Sequence, residues 1–290
     1  MKVIDKEQFL KYKKSDTVVI YGSGPSIKSL TNADKEILNQ FDSIGFNYFS
    51  KTGIEPTFYI IGEMIFNYHR AARTNHQINN KKVTEIYDQT HEDPKSYLDS
   101  FKNFKKTCYI VWDHPSIIQS KEWKNFTSQN NNDCMYVKQY GHDPHLKEIV
   151  NGKRGNIRMK FDPKIKGNQK FIHKKYYTQD LLLKDNIFLH SWKGVNSAIY
   201  AAACIGYKNV IFAGVDLGNY GPDAYAFDRS QFVDKFISKI RKGYKTHPCK
   251  ELLFKFVNYL KDDINFYTYN PHSLLTEIIP VYNQSSLTNN

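Results

Sequence analysis

A chain of 290 residues can bury a sizeable core, either as one large α/β domain or as one domain carrying an insert. Mean hydropathy is -0.60, and no apolar run approaches the roughly 20 residues of a membrane span. The opening "KVIDKEQFLKYKKSD" has a charged helical pattern without a secretory h-region or cleavage site, so the expected location is the cytoplasm. A formal charge of +12 favours an anionic partner, and nucleic acid, an anionic inner-membrane surface or a phosphate-bearing substrate all satisfy it. Cys108, Cys134, Cys204 and Cys249 are scattered and none has CxxC spacing, which argues against a zinc site or a disulfide framework and for reduced thiols.

The run "VVIYGSGPS" begins as a buried strand, Val18–Tyr21, and breaks into Gly22, Ser23, Gly24, Pro25 and Ser26. A single helix is predicted after it from "SIKSLTNADKEILNQF", with apolar positions at Ile27, Leu30, Ile37 and Leu38. Glycines at the end of a first parallel strand let backbone approach a ligand, and free N–H groups of the next helix attract phosphate. The pattern is GxGPS, not GxGxxG, so a hydride cofactor is poorly supported, and a plain strand-to-helix turn fits the residues as well. Short apolar runs at "SIGFNYF", "TFYIIG" and "TCYIVWD" read as parallel strands with crossovers.

Residues 138–175 lose apolar periodicity and carry eleven Lys or Arg against three Asp or Glu, the composition of a basic lid or of a solvated loop. Order returns in "GVNSAIYAAACIGYKNVIFAGVDL": a small-residue helix, a stop at Gly206, and a strand Val210–Ala213 that ends in Gly214 and Asp216. Helical patterns follow at about 228–241 and 248–261, then the strand "NFYTY". The expected architecture is a Rossmann-like α/β fold with a parallel sheet flanked by helices. Residues 1–137 and 181–290 form one nucleotide-binding domain, and residues 138–180 form the insert.

Taken together, "VVIYGSGPSIKSL", "FDSIGFNYF", "GVNSAIYAAACIGYKNVIFAGVDL", "AYAFD" and "GYKTHPCKELLFKFVNYLKDDINFYTYNPHSLL" resemble the bacterial sialyltransferases of glycosyltransferase family 42 in order and spacing. Residues 65–185 do not match. The resemblance implies a variant GT-A fold with a lid, and transfer of sialic acid from CMP-sialic acid to a glycan acceptor, with inversion and without a metal or other cofactor. It implies a general base at His247, tyrosines at Tyr244 and Tyr225 on the leaving phosphate, and a homo-oligomer. It also implies an asparagine, Asn47, that reads the nucleotide and donor side, and a role in surface-glycan synthesis such as lipooligosaccharide or capsule.

The residues are compatible with that chemistry. Histidine suits proton removal near neutrality, and two phenolic donors can stabilise charge on a departing phosphate. No D-x-D occurs, although Asp216 or the Asp262–Asp263 pair could bind a cation, and Asp216 fits equally a loop-capping carboxylate. Ser23 stands where the family has asparagine, and Tyr48 where it has glutamine. "HSWKG" replaces a Thr-Ser-Gly element, leaving Gly194 in place, with Lys193 able to bind a phosphate or carboxylate and Asn196 or Ser197 to cap the following helix. "DHPS" at Asp113–Ser116 is a second strand-end candidate. Two other readings stand beside the first: a transferase for another nucleotide sugar, or a basic nucleic-acid- or polysaccharide-binding protein on a Rossmann-like scaffold. The absence of a reader motif speaks against nucleic acid.

Overall fold

The computed structural model describes residues 1–62, 94–137, 194–218, 226 and 250–284, with the backbone of short strands at 77–78, 81–82, 138–140 and 187–189. In chain order the strands and α-helices are β1 (Lys2–Val3), α1 (Lys6–Leu10), β2 (Thr17–Tyr21), α2 (Asn32–Leu38), β3 (Asp42–Phe46), β4 (Phe58–Ile61), β5 (Gln77–Ile78), β6 (Lys81–Lys82), α3 (Pro94–Asp99) and β7 (Cys108–Trp112). They continue with α4 (Pro115–Ile118), α5 (Lys121–Gln129), β8 (Asp133–Tyr140), β9 (Ile187–Leu189), α6 (Gly194–Ile205), β10 (Asn209–Ala213), α7 (Lys250–Leu260) and β11 (Asn265–Thr268).

The main sheet runs β1-β8-β7-β4-β3-β2-β10-β11, with β9 pairing the far half of β8, and every pair in it is parallel. β5 and β6 pair only with each other, antiparallel. This confirms the Rossmann-like α/β class. All five residues of β2 are buried, as a strand covered on both faces requires. The chain moves outward from β2 through β3, β4, β7 and β8, then returns to place β10 on the other side of β2. That reversal makes a switch point, and in open parallel sheets a crevice lies there beyond the carboxyl ends of the strands.

Helix α6 explains its own packing: Gly, Ala and Ser residues let it lie close to β2, β3 and β9, and it is buried throughout its length after Gly194. Tyr200 meets Phe256 of α7 edge-on with ring centroids 4.5 Å apart, which sets the two helices side by side. The helix stops at Gly206, φ +87°, where the N–H groups of Gly206 and Tyr207 both return to the Ala202 carbonyl. The aromatic wealth of the chain gathers between the sheet and the α3/α5 pair, where Phe101 packs edge-on against Tyr59, Tyr97 and Tyr109.

Three expectations are corrected. The single helix expected after the glycine turn is two elements: a 3-10 turn at Pro25–Ser29, then α2. Thr31 separates them, because its side chain and that of Asp34 form a reciprocal capping box that starts a new helix. Strand β8, whose polar and apolar residues are mixed, was not foreseen, and it runs three residues past the 137/138 boundary drawn for the insert. Asn196 and Ser197 do not cap α6, since the helix begins at Gly194 and both lie inside its first turn or just beyond. Cys108, Cys134 and Cys204 are buried thiols outside any disulfide, as read; Cys249 lies outside the described residues.

Candidate functional site

The site is built at the carboxyl ends of β2, β3 and β10. The two glycines after β2 serve a contact between loops. The Gly22 N–H donates to the Ala213 carbonyl and the Gly24 N–H to the Gly214 carbonyl, both at 2.8 Å, so the turn continues the β2–β10 ladder past the strands. A Cβ on Gly22 would overlap the Gly214 carbonyl, and one on Gly24 would sit 2.5 Å from an Asp216 carboxylate oxygen. Glycine is therefore dictated at both positions by neighbouring backbone and carboxylate, with no ligand invoked.

Asp216 ties three strand ends together. Its carboxylate accepts the Ser26 N–H at 2.9 Å, the Ser26 hydroxyl at 2.6 Å and the Asn270 side-chain amide at 2.7 Å. Its backbone carbonyl accepts the Leu274 N–H at 3.1 Å. The Ile27 N–H returns to the Gly24 carbonyl. The amides of Gly22, Gly24, Ser26 and Ile27 are thus all spent within the protein, and the expectation of free N–H groups in this turn is corrected. Asn270, after β11, was not singled out in the sequence. The signal was its place just beyond a predicted strand, the position shared with Asn47 and Asp216.

Asn47 is exposed and takes the left-handed conformation, φ +54°, which asparagine tolerates better than most residues. The buried Tyr59 holds it there, donating its hydroxyl to the Asn47 carbonyl at 2.5 Å while accepting the Ser50 N–H at 3.1 Å. Gly194 lies against it: a Cβ there would be 2.6 Å from Asn47 Nδ2 and 2.7 Å from the Phe46 ring. The positive end of the 12-residue helix α6 therefore abuts the Asn47 amide at the carboxyl edge of β3. Two positions along the helix, Asn196 is buried, and neither amide atom has a hydrogen-bond partner among the described residues.

Ser23 is half-buried, and its carbonyl accepts the Ala226 N–H at 2.8 Å, which brings Ala226 to the glycine turn. Gly22, Ser23, Gly24, Ser26, Asn47, Gly194 and Asp216 thus gather at one edge of the sheet. His247, Tyr244, Tyr225 and Lys193 lie outside the described residues, as do His142, His145 and Trp192. Of the minor candidates, His114 caps α4, its Nδ1 accepting the Ser116 N–H at 3.2 Å. Asp262 and Asp263 follow α7 at the amino end of β11, the opposite edge of the sheet. Beside the Pro25–Ser29 turn lies a cavity of about 540 Å³ that includes Ser26, Ser29, Asp34, Tyr269 and Asn270 in its wall. There Tyr269 donates to Asp34 at 2.6 Å; burial pushes the phenol far up, and Asp34 is lowered by the phenol and by Thr31.

Fold and site together define a Rossmann-like α/β protein whose strand order reverses at β2, beneath a carboxyl-edge crevice. Among solved structures the chain is similar to the monofunctional alpha-2,3-sialyltransferase Cst-I from Campylobacter jejuni, at 16% identity and a TM-score of 0.39, covering 97% of this chain and 82% of that one. No protein-family model and no curated protein matches the chain. No described helix is long and apolar enough to cross a membrane.

Proposed function

We propose that the chain is an inverting, metal-independent glycosyltransferase that moves sialic acid, or a related acidic keto-sugar, from a CMP-activated donor to a glycan hydroxyl. The observation that carries this reading is the hydrogen bond from Ala226 to Ser23. It joins Ala226, whose place in the sequence is within "YAFD", to the glycine turn at the switch point, beside Asn47 and the positive end of α6. Those are the segments on which the family resemblance rests, and they are far apart in the chain.

In this reaction the acceptor oxygen bonds to the anomeric carbon as the bond from that carbon to the CMP phosphate oxygen breaks, and the electron pair leaves with CMP. His247 takes the acceptor proton, and Tyr225 and Tyr244 donate to the phosphate as charge develops on it. Asn47 contacts the nucleotide side, and Lys193 with the N-terminus of α6 supplies positive potential to the donor anion. Because the turn amides and the Asp216 carboxylate are already engaged, Gly22, Gly24, Ser26 and Asp216 act by holding the wall of the crevice, and Ser23 offers its hydroxyl.

Titration of CMP, UMP and GMP in parallel with a chelator present, read as thermal shift, tests the proposal. CMP alone is expected to stabilise, by about 2.7 kcal/mol at a hundredfold excess over Kd. A shift with UMP or GMP instead moves the reading to another nucleotide sugar. No shift with any of the three overturns it.

A further inference from the structure

Among the described residues, two that are not glycine hold a positive φ: Asn47 at +54° and Leu217 at +56°. Both lie just past strands that flank β2, on the carboxyl edge of the sheet. A left-handed backbone strains any side chain, asparagine less than most, and it persists only where the surroundings enforce it. For Asn47 the enforcing group is a buried phenol.

Tyr59 of β4 is fully buried, its ring against Phe101 and Phe104. A phenylalanine would fill that space without bringing a polar atom into it, so the hydroxyl needs a reason of its own. It donates to the Asn47 carbonyl at 2.5 Å, accepts the Ser50 N–H at 3.1 Å and also bonds to the Tyr97 hydroxyl. Ser50 is anchored in turn: its hydroxyl lies 2.6 Å from that of Ser100, which donates to the Tyr97 carbonyl. Fixing the Asn47 carbonyl fixes the backbone at that residue, and with it the side on which the amide emerges. That side is the first turn of α6, where Asn47 Nδ2 comes within 2.6 Å of the place a Cβ on Gly194 would take.

We propose that Tyr59 is a positioning residue for the nucleotide site: its hydroxyl holds Asn47 in the left-handed conformation and so presents the Asn47 amide at the amino end of α6 before any ligand arrives. The inference rests on the reading of Asn47 as a contact to the nucleotide side of the donor. A ligand that meets the amide already in place loses no affinity to the population of other conformers.

The full chain and its variants are titrated calorimetrically with CMP. Tyr59→Phe keeps the ring and is expected to weaken CMP about tenfold, because the competent conformer becomes the minor one. Asn47→Gly lacks the amide, and in that background Tyr59→Phe is expected to change affinity by less than about twofold. Tyr97→Phe keeps its ring against Tyr48 and leaves the bond from Tyr59 to Asn47, so its CMP affinity should stay within about twofold of the parent. Equal losses from Tyr59→Phe in both backgrounds, equal losses from Tyr59→Phe and Tyr97→Phe, or undiminished affinity in Tyr59→Phe overturns the proposal. A nucleotide-free crystal structure of Tyr59→Phe needs no ligand: Asn47 is expected at negative φ, and a φ still near +54° overturns the proposal. Absence of CMP binding to the parent chain overturns the transferase reading and with it the nucleotide role of both residues, whereas an unmoved Asn47 overturns this inference alone.

Discussion

Replacing Asp216 by Ala removes the acceptor at which the ends of β2, β10 and β11 meet. Three hydrogen bonds disappear, at 2.6, 2.7 and 2.9 Å, all to a carboxylate. Bonds to a charged group are worth about 1.5–3 kcal/mol each, but these three share one side chain and the residue is half-exposed, so about 3 kcal/mol in total is the expected loss. Most of that comes from the Ser26 N–H and the Asn270 amide left to find water inside the turn. For a chain of 290 residues the melting temperature should fall by about 5 °C. Asp216→Asn, which keeps one acceptor oxygen, should lose about half as much. Urea unfolding followed by circular dichroism measures both. A loss under about 1 kcal/mol for the alanine variant would show that the carboxylate does not brace the turn, and the contact with β11 would then be incidental.

Other outcomes follow from the same geometry. Gly22→Ala sets a methyl against the Gly214 carbonyl and should cost about 2–3 kcal/mol, read by the same unfolding assay; a neutral result contradicts the loop contact. Asn196→Leu removes two unpaired buried polar atoms, so it should raise the free protein's stability by about 1–3 kcal/mol while reducing the thermal shift produced by CMP, and loss of stability would mean the amide is already satisfied. Burial raises the phenols of Tyr21, Tyr59, Tyr97, Tyr109 and Tyr207, the last also through its bond to Asp42. Their contribution is complete below about pH 10, where unfolded tyrosine titrates, and is lost as pH rises beyond it, so unfolding free energy should decline from pH 10 upward. A flat profile to pH 11.5 contradicts this. His247→Ala should lower turnover by about 10²–10⁴-fold with CMP affinity nearly intact, and wild-type turnover would remove the histidine from the mechanism.

What the sequence disclosed depended on whether a feature is local. β2, β10 and α6 were legible because each is a run whose composition alone demands burial: Val18–Tyr21, Val210–Ala213 and the alanine-rich stretch after Gly194. β8 was not, since "DCMYVKQY" mixes charge and amide with its apolar residues, and only the pairing of Tyr109 with Cys134 and of Trp112 with Val137 makes it a strand. The break before α2 was present in Thr31 and Asp34 as a T-x-x-D box and was overridden by apolar spacing. The glycine turn shows the same limit. Its residues were read as space for a phosphate, yet the body that fills the space is the loop after β10, nearly two hundred positions later and invisible to any local pattern. Asp216 was seen as either ligand contact or loop cap, and its three partners place it as a brace.

The strand order also governs how the chain can be assembled as it emerges from a ribosome. β2 pairs early with β3, and β4, β7 and β8 then extend the sheet outward in the order they are synthesised. On its other side β2 waits for Asn209–Ala213, so through most of translation one flank of the most buried strand, "TVVIY", is an unpaired apolar edge. Closing that edge is a long-range step, which makes it slow relative to the local steps before it. The insertion of β10 is at once the event that closes this flank of β2 and the one that brings Gly214 and Asp216 against the glycine turn. A half-made chain therefore has neither a sealed sheet nor a crevice, and it gains both in one move.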